Sequence, residues 1–211
     1  MIDLIAELGR VRRSVGKGTS PAGAGHVVEL RRTYDSPIED VWDACTHPVR
    51  IGRWFLPVNG DLRLGGSYQL EGNASGDIIE CEPPRRVAVT WVFADDVSLV
   101  SVDLTPTGQD GTELLLRHVV NENDHWATYG PGATGVGWEL ALFGLAHFLQ
   151  SGESVSDPAA FEASPEARAF LRRSAQEWGQ AHAASGAPPA TAREAADRTS
   201  AFYAPDPENV L

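Results

Sequence analysis

Cysteine is scarce: Cys45 and Cys81 are the two thiols among 211 residues. They are too few and too far apart for a disulfide framework or a cysteine-based metal site, so free, buried thiols in a reducing cytoplasm are expected. Lysine is scarcer still, with Lys17 the one lysine among 17 basic residues, set against 29 acidic ones. A formal charge of −12 works against nucleic acid and against anionic membrane, because phosphate-rich partners need a concentrated basic surface. No segment approaches the roughly twenty consecutive apolar residues that cross a bilayer. The N-terminus also lacks the basic-then-apolar order of a signal peptide. A cytoplasmic protein with no nucleic-acid and no membrane partner is expected.

The usual catalytic spacings are missing as well. The six histidines, His26, His47, His118, His125, His147 and His182, form no HExxH or comparable ligand pair, and no cysteine stands at ligand spacing from them. No metal is expected. There is no G-x-S-x-G elbow, and neither cysteine has a plausible base beside it in sequence. Gly130-Pro131-Gly132 and Gly135-Val136-Gly137 are glycine-rich without the strand context of a phosphate-binding loop, so they read as a loop and the start of a helix. No cofactor is expected.

What is present is a globular composition, 42% hydrophobic with six tryptophans, in a chain long enough for one domain plus extensions. Leu4, Leu8, Val11 and Val15, widened by Ile2 and Ile5, recur at helical spacing and predict an N-terminal amphipathic helix. Gly16 to Gly25 reads as a flexible linker. Val27 to Tyr34 then reads as a strand, stopped by Asp35-Ser36-Pro37, where Ser36 is placed to cap a helix that has Pro37 at its first position. That short helix carries Val41, Trp42 and Cys45, and a second one runs through Val49, Ile51 and Trp54.

From Val58 to Val120 turn clusters recur every ten to fourteen residues or so, as a meander of hairpins requires. Between them lie Ser67 to Glu71, Asp77 to Cys81, Val87 to Phe93, Val97 to Thr105 and Glu113 to Val120. With Val27 to Tyr34 and the stretch near Leu62, about seven strands are expected. The period then changes: Thr134 to Gln150 is helical and apolar nearly all round, as for a helix covered on two sides. A further helix is expected to start at Ser164-Pro165-Glu166 and to lay Phe170, Leu171, Ser174, Ala175 and Trp178 on the outer face of the first. Thr191 to Tyr203 predicts one more.

Several stretches are familiar in combination. Tyr34-Asp35-Ser36-Pro37-Ile38-Glu39-Asp40-Val41-Trp42-Asp43-Ala44, then Arg53-Trp54-Phe55-Leu56-Pro57, resembles the bacterial branch of the SRPBCC/START superfamily called activator of heat-shock protein 90 ATPase homologue. Gly65-Gly66-Ser67-Tyr68, Glu82-Pro83-Pro84-Arg85-Arg86 leading into Thr90-Trp91, and Gly135-Val136-Gly137-Trp138-Glu139 fit the same pattern. The resemblance implies an α+β helix-grip fold: a curved antiparallel sheet around a long C-terminal helix, with two small helices after the first strand and extra terminal helices. It divides the chain into an N-terminal helix and linker (1–25), a helix-grip domain (26–150) and a C-terminal helical extension packing on it (151–211). Co-chaperone action belongs to eukaryotic members that carry an additional domain, which is not found here.

In such a fold the sheet and the helix enclose a cavity, and strand alternation indicates which side chains face it. Val87, Val89, Trp91 and Phe93 share one strand face; Leu114, Leu116, His118 and Val120 share another. The candidate cavity residues are Trp54, Phe55, Val89, Trp91, Phe93, Leu116, His118, Trp138, Leu142 and Leu145. His118 is the sharpest polar member: a hydrogen-bond partner or base for a ligand, or a satisfied core histidine. Asp103 and Ser101 read as solvent-facing. The aromatic run His125-Trp126-Ala127-Thr128-Tyr129 lies before the long helix, where it would cap the pocket or anchor the loop.

Three functions compete: binding of a small apolar or aromatic ligand, a cyclase or hydrolase using the same cavity, and a chaperone-associated or regulatory interaction module. With His118 almost alone as a titratable candidate, binding is favoured over catalysis. The N-terminal stripe would be an exposed interaction patch or the seal of a homodimer.

Overall fold

The structure, a computed structural model, describes residues 4–154, 161 and 164–205. A short helix α1 (Leu4–Leu8) precedes the strands β1 (Arg12–Ser20) and β2 (Gly23–Tyr34). Helices α2 (Ile38–Thr46) and α3 (Pro48–Trp54) follow, then β3 (Val58–Gly60), β4 (Ser67–Leu70), β5 (Ser75–Glu82), β6 (Arg86–Phe93), β7 (Asp96–Thr107) and β8 (Gly111–Asn121). The chain ends in α4 (Asp124–Tyr129), α5 (Gly132–Ser151), α6 (Pro165–Ala184) and α7 (Pro189–Tyr203). One antiparallel sheet holds all eight strands in the order β1-β2-β8-β7-β6-β5-β4-β3. A register shift at Ile78/Glu80 in β5 interrupts the ladder, as a bulge does where a sheet must bend. No helix among the described residues is long and apolar enough to cross a membrane.

Helix α5 lies against the concave face of this sheet, and α6 covers its other side. That double cover is why α5 is apolar all round. Tyr34 Oη donates to the Leu142 carbonyl at 3.2 Å on the sheet side. On the other side Phe170 meets Phe143, and the fully buried Trp178 seats against Gly135, where a Cβ would collide with the indole. A glycine inside a helix costs about 1 kcal/mol relative to alanine, and here this close approach accounts for it. Glu139, buried in the same helix, accepts hydrogen bonds from Arg13 Nε of β1 and from Ser174 Oγ of α6, which ties three elements to one carboxylate. Burial raises its pKa, and Arg13 opposes that shift.

Several expectations are corrected. The N-terminal helix spans Leu4–Leu8 alone, and Val11 and Val15 belong to the approach to β1 and to β1 itself. A spacing of four is even, so it satisfies a strand as well as a helix. Ile2 lies outside the described residues. The linker expected over Gly16 to Gly25 is instead a tight hairpin, with Ser20 paired to Gly23. Its glycines serve close approach: a Cβ on Gly25 would strike the Val120 backbone of β8. This hairpin raises the strand count from seven to eight. The strand expected near Leu62 lies at Val58–Gly60. Ser36 makes no capping bond; Pro37 stands at the N-cap, while the Ser36 carbonyl accepts from Thr112 Oγ1 at 2.7 Å. Ser164 does cap α6, accepting from the Ala167 amide at 3.1 Å. The N-terminal stripe is no outward patch, because Leu4, Leu8 and Val11 are buried in the chain's own core and Glu7 pairs with buried Arg32.

Candidate ligand cavity

The concave face is built by period-two alternation. In β6, Val87, Val89 and Trp91 point inward; in β7, Val100 and Val102; in β8, Leu114 and Leu116. Registry sets them in rows, with Val87 opposite Val102, Val89 opposite Val100 and Val102 opposite Leu116. Trp138, Leu142 and Leu145 descend from α5, Tyr68 and Leu70 close the far end from β4, and Cys45, Ile51 and Trp54 come from α2 and α3. Between these layers lies an inner chamber of about 190 Å3 whose wall is almost entirely apolar. Tyr68 Oη is engaged with the Thr90 carbonyl at 2.8 Å, and Trp54 Nε1 with the Ala44 carbonyl at 2.9 Å. Burial raises the Tyr68 phenol above its ordinary range and pushes the Cys45 thiol up to about 12.

A second, outer chamber of about 570 Å3 adjoins the first. Phe55, Trp91 and Trp138 line both and form the partition between them. The Trp138 ring stands edge-on to Trp91 at 5.2 Å between centroids and beside Phe55 at 5.9 Å. Beyond this partition the wall becomes mixed: Ser98, His118, Asn121, Asp96, Trp126, Phe93, Phe202 and Tyr203. Trp126 of α4 lies flat on His26 at 3.9 Å, so the aromatic run is both anchored and part of the chamber wall, in a helix rather than a loop.

His118 holds the partition in place. Trp138 Nε1 donates to His118 Nδ1 at 3.0 Å. An indole nitrogen can only donate, so Nδ1 is unprotonated and the ring hydrogen sits on Nε2, 2.8 Å from Ser98 Oγ. Ser98 passes its own hydrogen to the Trp91 carbonyl at 3.1 Å. Burial pushes the His118 pKa down to about 3, so the ring is neutral at physiological pH with both nitrogens engaged. It is a satisfied histidine that fixes the Trp138 ring and has no free lone pair for a base.

Eight of the ten residues expected at the cavity stand on the inner wall: Trp54, Phe55, Val89, Trp91, Leu116, Trp138, Leu142 and Leu145. His118 and Phe93 line the outer chamber instead, and Phe93, the last residue of β6, is 55% exposed. Alternation predicts which side of a sheet a residue faces, but not how far along the cavity it lies. Asp103 is no idle surface group. It accepts from Arg86 at 2.6 Å and Arg117 at 3.0 Å within a chain of charges across the convex face. Sequence reasoning missed Tyr68 and Leu70, although the alternation of β4 carries them, and missed Phe202 and Tyr203, for which no local signal exists. Among the described residues no group of three metal-ligating side chains converges.

A curved antiparallel sheet gripping one long helix, hollow between them, defines a helix-grip protein. The chain belongs to the family described as activator of Hsp90 ATPase homolog 1-like protein, which matches residues 35–150. CalU16 from Micromonospora echinospora is similar in its crystal structure, at 39% identity and a TM-score of 0.70 over 81% of this chain and 97% of CalU16. The solution structure of CalU16 aligns over 92% of this chain and 94% of its own length, at 36% identity and a TM-score of 0.64. The likeness therefore extends well past the family match, into the terminal elements. A conserved protein of unknown function from Enterococcus faecalis, EF2215, shares the fold alone, at 14% identity and a TM-score of 0.60 over 84% of this chain and 95% of that one. No curated protein matches the chain.

Proposed function

We propose that this protein binds one small apolar or aromatic molecule in the inner chamber and performs no covalent chemistry on it. The observation that carries the reading is the apolar pocket of about 190 Å3 between sheet and α5. An engineered apolar cavity of ~150 Å3 stays dry and takes up benzene, which sets the scale of a fitting guest. The wall supports binding over a cyclase or hydrolase. Its Cys45 thiol is pushed up to about 12, its Tyr68 hydroxyl is engaged, and the nearby His118 is neutral with both nitrogens occupied. None of these moves a proton near neutral pH. A cytoplasmic setting, where Cys45 and Cys81 stay reduced, accords with this reading.

Native mass spectrometry of protein purified from its own host tests the reading. The expected spectrum shows an added organic mass that leaves on denaturation. A bare chain, together with a melting temperature unmoved by a broad set of apolar molecules, would overturn it, because a bound ligand must stabilise the folded state.

A further inference from the structure

We propose that the outer chamber is a second binding site, separate from the inner one, for a planar aromatic cation: a flat ring system that carries a positive charge, such as an N-alkylated heterocycle.

The chamber has the size and the walls for a flat ring. At about 570 Å3 it falls within the ~300–1,000 Å3 of ordinary small-molecule pockets. Trp91 and Trp138 separate it from the inner chamber, and Trp126, stacked on His26 at 3.9 Å, stands in its wall. Phe93 at the end of β6 and Phe202 near the end of α7 line it while being 55% and 59% exposed. Phe202 is held in place by Tyr129 at 5.6 Å and Tyr203 at 5.1 Å between centroids. Indole and phenyl faces present the negative side of the ring quadrupole. A wall of this kind therefore holds a cationic ring better than a neutral one of the same shape, and an anion worst.

The charges agree with the rings. Among the described residues that line the chamber there is no lysine or arginine and one acid, Asp96. Asn121, buried in the same wall, donates through Nδ2 to Asp96 Oδ1 and so fixes the carboxylate at the chamber. Asp96 is exposed, and its Oδ2 has no partner among the described residues, which leaves that oxygen open to a guest. Exposed Asp95, Glu122 and Asp124 stand next to lining residues in the chain and add to the negative field. Arg198, one turn before Phe202, is directed to the Thr128 carbonyl and to Glu194, at 3.3 Å each. His118 is neutral, and burial lowers the pKa of His26 and His182 as well. Trp126 Nε1 and Thr134 Oγ1, unpaired among the described residues, are neutral and set no preference of charge.

The test is calorimetric titration of the full chain at pH 8, where an ordinary histidine is neutral. Three flat molecules of like size are compared: the cation 1-methylquinolinium, its uncharged isostere 1-methylnaphthalene and the anion 1-naphthoate. 1-Methylquinolinium is expected to bind at least tenfold more tightly than 1-naphthoate, and to weaken as salt rises. Asp96→Asn, which keeps an acceptor for Asn121, should weaken the cation at least threefold and change 1-methylnaphthalene by less than twofold. Phe202→Ala, a change at an exposed position, should also weaken the cation at least threefold. Leu142→Trp, which fills the inner chamber and is checked for folding by circular dichroism, should change it by less than twofold, because an apolar wall does not accept an unpaired charge. No binding of 1-methylquinolinium, or binding no tighter than that of 1-naphthoate, would overturn the proposal. So would cation binding that ignores Asp96→Asn or Phe202→Ala, or that disappears in folded Leu142→Trp, since the molecule would then sit elsewhere. The proposed function can fail on its own, through an inner chamber that takes up no apolar guest, while these results stand.

Discussion

The two chambers share one sheet and one helix yet differ in kind. The inner one is walled by Val87, Val89, Val100, Leu116, Leu142 and Leu145, whose side chains can distinguish guests by little except shape. The outer one, past Phe55, Trp91 and Trp138, gathers Asn121, Asp96 and Ser98 beside exposed Phe93 and Phe202. Apolar walls give affinity at low discrimination, because one methylene is worth only about 1–3 kcal/mol. Polar walls add discrimination, because a guest must match their hydrogen bonds. A single layer of three aromatic rings thus separates an apolar chamber from one of mixed polarity.

The largest expected effect comes from removing that layer. Trp138→Ala merges the chambers, deletes ring contacts with Trp91 and Phe55, and strips His118 of its donor. Truncating a large core aromatic costs about 3–5 kcal/mol, and because Trp138 is half-buried the loss should lie at the lower end, about 3 kcal/mol, read as a lower midpoint in urea. A loss under about 1 kcal/mol would mean that the partition is not part of the packed core.

The next effect concerns the histidine that holds the partition. His118→Leu leaves the Trp138 N–H without its acceptor and should cost about 1–3 kcal/mol. The same variant has a pH signature with a definite sign. The folded pKa of about 3 lies below the 6.5 of an unperturbed histidine, so between these values the unfolded chain holds a proton that the folded chain does not. Stability contributed by neutral His118 is therefore fully present above about pH 6.5 and is lost as pH falls toward 3, at up to about 1.4 kcal/mol per unit. His26 and His182, whose pKa values burial also lowers, act in the same direction. Denaturant unfolding between pH 4 and 6 should show a slope shallower by up to one proton in His118→Leu than in the wild type. Parallel slopes would contradict the neutral, doubly engaged histidine.

The smallest effect lies on the opposite face of the same strands. There Arg86, Asp103, Arg117, Glu29, Arg31 and Glu113 alternate in sign across β6, β7, β8 and β2. These pairs are partly exposed, so Arg117→Ala should cost less than about 1 kcal/mol, and less again at high salt. A larger cost would show the convex ladder to be as important as the concave core.

Sequence made the inner chamber far more legible than the outer. Val87-Val89-Trp91 and Leu114-Leu116 carry their inward face in plain alternation, and Trp138, Leu142 and Leu145 fall on one helical face, so local periodicity sufficed. The outer chamber is assembled from Asp96 and Asn121 at strand ends, Trp126 in a six-residue helix and Phe202 some eighty residues beyond β8, and no local pattern relates these positions. The N-terminal hairpin was hidden for a different reason: Val11 and Val15, four apart, fit a strand as well as a helix and continue the helical spacing of Leu4 and Leu8, and glycines needed for close strand approach look, by composition, like flexibility. His118 was visible as a residue but not in its role, since its partner Trp138 lies on a different element.

The most direct measurement is calorimetric titration of toluene into the wild-type protein and into Leu142→Trp, whose added indole occupies the inner chamber while leaving the sheet untouched. The account predicts saturable one-to-one uptake by the wild type and none by the variant, with both chains folded. No uptake by either, or equal uptake by both, would contradict a hollow between the sheet and α5 that is built to hold an apolar guest.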